Sequence, residues 1–203
     1  MRTLLLLSVV FLVSCASIRD ITNSLASLQN MQFKLTGLTG MRLAGVDVSR
    51  IASPSSLSIS DGLALTQAFA RRSLPTTFVV NVDAKNPNTG TSTAKSIPLT
   101  LNGLDWRLLI DDKPTISGDL DKPVDVPGNG KTTQIPLAVS MDMYSFFADK
   151  GYDGIVNLAL ALGGQKGSTS RVKLDAMPTV GTPLGPMTYP NRIAIVDTEF
   201  RGK

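Results

Sequence analysis

Thr77-Phe78-Val79-Val80-Asn81-Val82-Asp83-Ala84-Lys85, followed by Asn86-Pro87-Asn88-Thr89-Gly90, is the stretch on which the reading of the fold turns. Phe78, Val80, Val82 and Ala84 alternate with Val79, Asn81, Asp83 and Lys85, the period of a strand with one face buried. The next five residues stop it. Asn side chains bond nearby backbone groups and tolerate turn geometry, and Pro removes a donor where the ladder must end.

The same alternation recurs on either side. Downstream, Ile97, Leu99 and Leu101 fall on odd positions, and after Asn102-Gly103 the apolar residues move to even ones: Leu104, Trp106, Leu108 and Ile110. A change of parity at a Gly means a bulge or a tight hairpin, and the short first half favours the bulge. Trp106 is expected to be buried between sheets. Asp111-Asp112-Lys113-Pro114 reads as a turn with Ile116 to Leu120 as its return strand. Pro127-Gly128-Asn129-Gly130 reads as a hairpin turn before a strand through Ile135, Leu137 and Val139. Asp142 to Lys150 is expected to be a short helix ended by Gly151. Gly154 to Leu162, Arg171 to Ala176 and Asn191 to Val196 read as further strands.

Upstream, Phe33, Leu35, Leu38, Met41, Leu43, Val46 and Val48 form a long strand pattern broken by Gly37, Gly40 and Gly45, where bulges are expected. Ser60 or Asp61 would cap a helix running through Arg72, with Leu65, Ala68, Phe69 and Arg72 on one face and Arg71 and Arg72 in its last turn. Many short alternating strands separated by turn residues predict a mainly β domain: an antiparallel β-sandwich of fibronectin or immunoglobulin type with one or two short helices, over residues 32–197.

Between Leu74 and Phe147 the chain carries Phe78-Val79-Val80-Asn81-Val82, Asn86-Pro87-Asn88, Ile97-Pro98-Leu99, Leu104 to Ile110 with Trp106, Gly118, and Lys131-Thr132-Thr133-Gln134-Ile135-Pro136-Leu137. This stretch resembles the water stress and hypersensitive response (WHy) domain of the atypical, hydrophobic late-embryogenesis-abundant proteins. The likeness extends from about Phe33 to about Ala176, and the family's Asn-Pro motif maps onto Asn86 and Pro87. Trp106 stands where many members carry Tyr. The resemblance implies a two-sheet sandwich, a link to desiccation or stress tolerance, and no catalytic site.

The N-terminus has a different character. Met1-Arg2-Thr3 is a short basic segment, and Leu4 to Val13 is apolar apart from Ser8. Such a run is too short to span a bilayer, which takes roughly 20 residues, and has the length of a signal-peptide core. It ends in Leu12-Val13-Ser14-Cys15, which resembles the lipobox of bacterial lipoproteins. The resemblance implies removal of residues 1–14 by cleavage between Ser14 and Cys15, and diacylglycerol on the Cys15 thiol. Cys15 is the chain's one cysteine, and lipidation removes the hazard of an odd thiol in an oxidising compartment. Ala16 is not the Asp that retains well-studied lipoproteins at the inner membrane, so outer-membrane residence facing the periplasm is expected by analogy. Residues 15–31 form the tether. Ile18, Ile21, Leu25 and Leu28 recur at helical spacing, with Ser17 able to cap the helix. A helix docked on the sandwich, a helix on the membrane surface and a flexible linker all fit that stripe.

Composition narrows the chemistry. The chain has 203 residues and no histidine, so Ser-His-Asp triads, Cys-His dyads and imidazole metal ligands are excluded. After lipidation no thiol is left for zinc or transition metals. No metal, catalytic residue or cofactor is assigned. The 20 Lys and Arg, one of them in the leader, face 16 Asp and Glu. They are scattered without a basic stripe interleaved with aromatics, so nucleic acid is not an expected partner. Asp125 to Thr132 ends like a phosphate loop, but Asp125 stands where that motif needs Gly, and a strand pattern follows instead of a helix. Asp119, Asp121 and Asp125 lack the spacing of a calcium loop and read as solvated edge carboxylates. The expected function is non-enzymatic, with the lipidated N-terminus in the membrane and surface contacts to protein or lipid clients. The alternatives are a carrier or chaperone for an apolar ligand or envelope client and, more distantly, a hydrolase that works without His.

Overall fold

A computed structural model describes residues 30–90, 96, 98–163, 171–182 and 185–196. Two antiparallel sheets carry the fold. The first has four strands in the order β2-β1-β3-β7: β1 (Gln32–Leu43), β2 (Val46–Asp47), β3 (Pro75–Lys85) and β7 (Thr132–Asp142). The second is built on β4 (Leu99–Ile110) and β8 (Val172–Thr182), paired along most of their length. The far edge of β4 takes β6 (Val124–Val126) at Leu99–Leu101 and β5 (Lys113–Gly118) at Trp106–Ile110. The far edge of β8 takes β10 (Ile193–Ile195) at Leu174–Ala176 and β9 (Gly185–Thr188) at Thr179–Thr182. This is the expected antiparallel sandwich.

The alternation seen in the sequence builds its core. Phe78, Val80, Val82 and Ala84 of β3, Leu104, Trp106, Leu108 and Ile110 of β4, and Ile135, Leu137 and Val139 of β7 are all buried. Burying a Val, Leu, Ile or Phe side chain contributes about 1.5–3 kcal/mol, and a one-residue slip of any of these strands would turn its whole apolar set to water. The backbone at the edge of the interior is tied too, with the Leu35 N–H donating to the Val196 carbonyl at 2.9 Å.

The parity change at Asn102-Gly103 is a bulge: the β4–β8 register shifts between Leu101 and Gly103. Gly37 and Gly40 also lie at register shifts, between β1 and β3. Gly45 does not. With Ala44 at φ 47° and Gly45 at φ 85° it closes the tight β1–β2 hairpin, where two successive residues must adopt positive φ.

The helices depart further from expectation. Helix α1 spans Ile59–Ala70 and is capped by Ser58, whose hydroxyl accepts from the Asp61 N–H, not by Ser60 or Asp61. It ends before Arg71 and Arg72, which therefore lie beyond its last turn. Helix α2 (Met143–Phe147) is capped by Asp142, which accepts from the Tyr144 N–H at 2.9 Å. The same carboxylate takes the Leu74 N–H and the Ser73 hydroxyl, both at 2.9 Å, tying the chain after α1 to the end of β7. A short 3-10 turn, Ala148–Lys150, leads into Gly151–Gly163, which is helix α3 and not the strand expected over Gly154 to Leu162. Ile155, Val156, Leu158, Ala159, Leu160 and Leu162 are all buried. A helix enclosed on most sides shows no clean 3.6-residue stripe, so its apolar run mimics a buried strand.

Pro127-Gly128-Asn129-Gly130 is a turn but not a hairpin. β6 before it pairs with β4 in one sheet, and β7 after it pairs with β3 in the other, so the turn carries the chain across the sandwich. The tether over residues 15–31, with its helical stripe, and Ile97 of the odd-position strand lie outside the described residues, save Asn30 and Met31 at the tether's end.

Candidate functional site

Ser14 and Cys15 lie outside the described residues. Asn86 and Pro87 lie at the exit of β3. Asn86 is fully buried. Its Oδ1 accepts from the Asn88 backbone N–H at 3.1 Å and the Asn88 amide at 2.8 Å. Its carbonyl accepts from the Gly130 N–H at 3.2 Å. The motif thus joins the end of β3 to the turn that crosses between the sheets. Gly130 adopts φ 72°, and a Cβ there would lie 3.3 Å from Thr89 Cγ2. These are the contacts of a turn, with the Asn oxygen spent on its own backbone neighbourhood.

The loop that ends like a phosphate cradle is bonded in the same way. Asn129 Oδ1 accepts from the Lys131 N–H at 2.9 Å, and strand β7 follows directly. The three carboxylates weighed for calcium do not converge: no group of three or more metal-ligating side chains occurs among the described residues. Asp125 accepts from the Thr100 hydroxyl at 2.7 Å. Asp119 is more than a solvated edge carboxylate. Its Oδ1 accepts the Leu104 N–H at 2.6 Å and the Leu120 N–H at 2.7 Å, so it satisfies a donor that the Gly103 bulge frees. Its carbonyl also receives the Trp106 indole N–H at 3.3 Å.

The titratable groups are organised as ion pairs. Arg192 donates to Asp105 at 2.7 Å and to Asp175 at 3.1 Å, bracing the approach to β10 against β4 and β8, and Arg107 meets Asp175 at 3.0 Å. At the β4–β5 turn, Arg171 grips Asp111 with two bonds of 2.5 and 2.6 Å, and Lys150 lies 3.4 Å from the same carboxylate. Hydrogen bonding from Arg192 holds the Asp105 carboxyl below its ordinary pKa, and hydrogen bonding from Arg171 does the same for Asp111. Asp47 is lowered by the Ser49 backbone N–H, then by the Ser49 hydroxyl. The Arg171 and Arg192 guanidinium pKa values rise for the reciprocal reason. Each of these shifts strengthens the charged form. Acid–base chemistry near neutral pH needs the opposite displacement, toward the operating pH. The Arg192 and Arg171 pairings span 87 and 60 residues, and no local pattern in the sequence announces them.

No family model and no curated protein matches the chain. Among solved structures, it is similar to a protein from Archaeoglobus fulgidus at 12% identity, TM-score 0.33, over 64% of this chain and 86% of the other. It is also similar to a protein from Arabidopsis thaliana at 12% identity, TM-score 0.38, over 85% and 81% of the two chains. A candidate late embryogenesis abundant (LEA) protein is similar at 15% identity, TM-score 0.36, over 93% and 83%.

Proposed function

We propose that this chain is a membrane-anchored, non-enzymatic lipoprotein whose WHy-like sandwich acts by surface contact with proteins or membrane under water stress. The anchor reading is carried by Leu12-Val13-Ser14-Cys15, a lipobox-like end to an apolar leader at the chain's one cysteine. The contact reading is supported by the use of the charged groups. Carboxylates and arginines brace strands and turns, and the shifted ones are held toward ionisation. Among the described residues no helix is long and apolar enough to cross a membrane.

A surface that works by distributed contact loses little when one side chain is removed. Single alanine replacements at Asp83, Lys85, Asp105, Asp125 and Lys131 are expected to leave protection of a drying-sensitive enzyme nearly intact. Loss of the whole effect from one of them, with circular dichroism unchanged, would reveal a discrete site and contradict the proposal.

A further inference from the structure

The two large apolar side chains most exposed among the described residues lie one turn apart on the same helix. Ile59 is 94% exposed and Leu63 58%. Helix α1 is held to the body by Leu65, which is buried, and by Phe69, whose ring meets Tyr144 at 5.3 Å and Tyr152 at 5.6 Å. At helical spacing, Ile59, Leu63, Thr66 and Ala70 line the opposite, solvent-facing side. That stripe carries no charge, although the outer face of a solvated helix is ordinarily polar and charged. The helix's only charged residue is Asp61, engaged by the Ser58 hydroxyl at 2.6 Å.

The arginines around α1 differ from the other described arginines. Arg107, Arg171 and Arg192 are each in salt bridges. Among the described residues, no salt bridge engages Arg42, Arg50, Arg71 or Arg72. All four are exposed. Arg71 and Arg72 follow α1 directly, and Arg50 lies in the segment leading to it. Arg42 pairs in register with Asp47 of the β1–β2 hairpin, which the Ala44 N–H ties to the Pro75 carbonyl just beyond Arg72. The nearby acidic residues include Asp47, Asp61 and Asp142, the last taken up by the Ser73 hydroxyl and the Leu74 and Tyr144 N–H groups.

We infer that α1 and its flanking arginines form a contact surface for an anionic lipid bilayer, with Ile59 and Leu63 entering the headgroup boundary and Arg42, Arg50, Arg71 and Arg72 meeting lipid phosphates. An aliphatic ridge flanked by exposed arginines that no salt bridge holds is complementary to that surface, whose apolar boundary lies beneath negative charge. The inference rests on the membrane-anchored reading for its partner and adds where the folded domain touches it. The anchor permits the pose. It does so for the flexible-linker reading of the tether: extended, the steps from Cys15 to Met31 reach up to roughly 55 Å, whereas β1, with its far end near α1, runs about 40 Å.

The test uses the full chain with Cys15→Ser and Leu63→Cys, a polarity-sensitive fluorophore on the new thiol, and a matched Ser117→Cys label on the exposed β5. Vesicles of phosphatidylcholine with phosphatidylglycerol are expected to shift emission to the blue at position 63 and not at 117. Pure phosphatidylcholine should leave both unchanged. Adding Arg71→Gln and Arg72→Gln should raise the lipid concentration needed for the shift about thirtyfold, at roughly 1 kcal/mol per arginine. An unshifted label at 63 on chains that sediment with anionic vesicles would overturn the inference and leave the anchor reading standing. An equal shift with neutral vesicles, or a shift produced by an acidic polypeptide and not by vesicles, would also overturn it. If wild-type Cys15 carries no lipid in cells, the anchor reading fails and the vesicle result still decides the role of α1.

Discussion

Trp106 faces a cross-strand partner that can carry no side chain. Gly118 pairs with it between β4 and β5, and a Cβ on Gly118 would lie 2.5 Å from Trp106 Cζ2, inside any real carbon contact. The indole is 3% exposed and held by its bond to the Asp119 carbonyl, so it has no free direction in which to yield. Gly118→Ala is therefore expected to cost about 1–3 kcal/mol by overpacking, read as a lower urea midpoint, with a red shift of Trp106 emission if the ring is displaced. An unchanged midpoint would show that the ring has room. The burial of Trp106 was legible from its alternation with Leu104, Leu108 and Ile110. The need for Gly118 was not, because it depends on which residue of β5 lies opposite.

Charge at the same scale predicts an acid limb. Asp105 and Asp111 have folded pKa values below the ordinary carboxylate value of about 4. Between the folded and unfolded values the unfolded chain binds more protons. Their contribution is thus complete above about pH 4 and is lost as pH falls through the lowered folded values. With no histidine in the chain, the urea midpoint should be flat from pH 7 to about 5 and decline below 4, modestly because these side chains are partly solvated. Asp111→Asn should shallow that decline. An undiminished slope in the variant would remove the Arg171 pairing from the account.

Among elements, α3 shows where sequence reasoning fails and why. Gly154 to Leu162 has the apolar density of an interior strand, and only packing decides its conformation. Neighbours surround Ile155, Val156, Leu158, Ala159, Leu160 and Leu162, and the helix ends with Gly163 against β1. A Cβ on Gly163 would be 2.4 Å from Met41 Cβ and 3.4 Å from Val48 Cγ2. Because Met41 Cβ is fixed to the strand backbone, it cannot swing aside. Gly163→Ala is expected to push α3 off β1 and cost about 1–3 kcal/mol, with faster amide exchange across α3 and the C-terminal end of β1. Exchange confined to position 163 would mean that the helix end frays instead. Strands β3, β4 and β7 were readable because one face of each meets water and leaves a period of two. β6 and β9, of 3 and 4 residues, are too short to show one. The Asn86-Pro87 turn was readable from residue type alone, while the Asp119 brace and the Arg192 clamp join residues far apart in the chain.

At the scale of the whole molecule, a folded sandwich is proposed to carry an N-terminal lipid. The two are separable in experiment, since the fold rests on buried strands and the proposed attachment on one thiol. The most direct measurement is an intact-mass and N-terminal peptide spectrum of the protein extracted from bacterial envelopes. The expected chain begins at Cys15, lacks residues 1–14, and carries the mass of a diacylglyceryl thioether on Cys15. A chain that keeps Met1, or one cleaved elsewhere with Cys15 as an unmodified thiol, would contradict the proposed attachment.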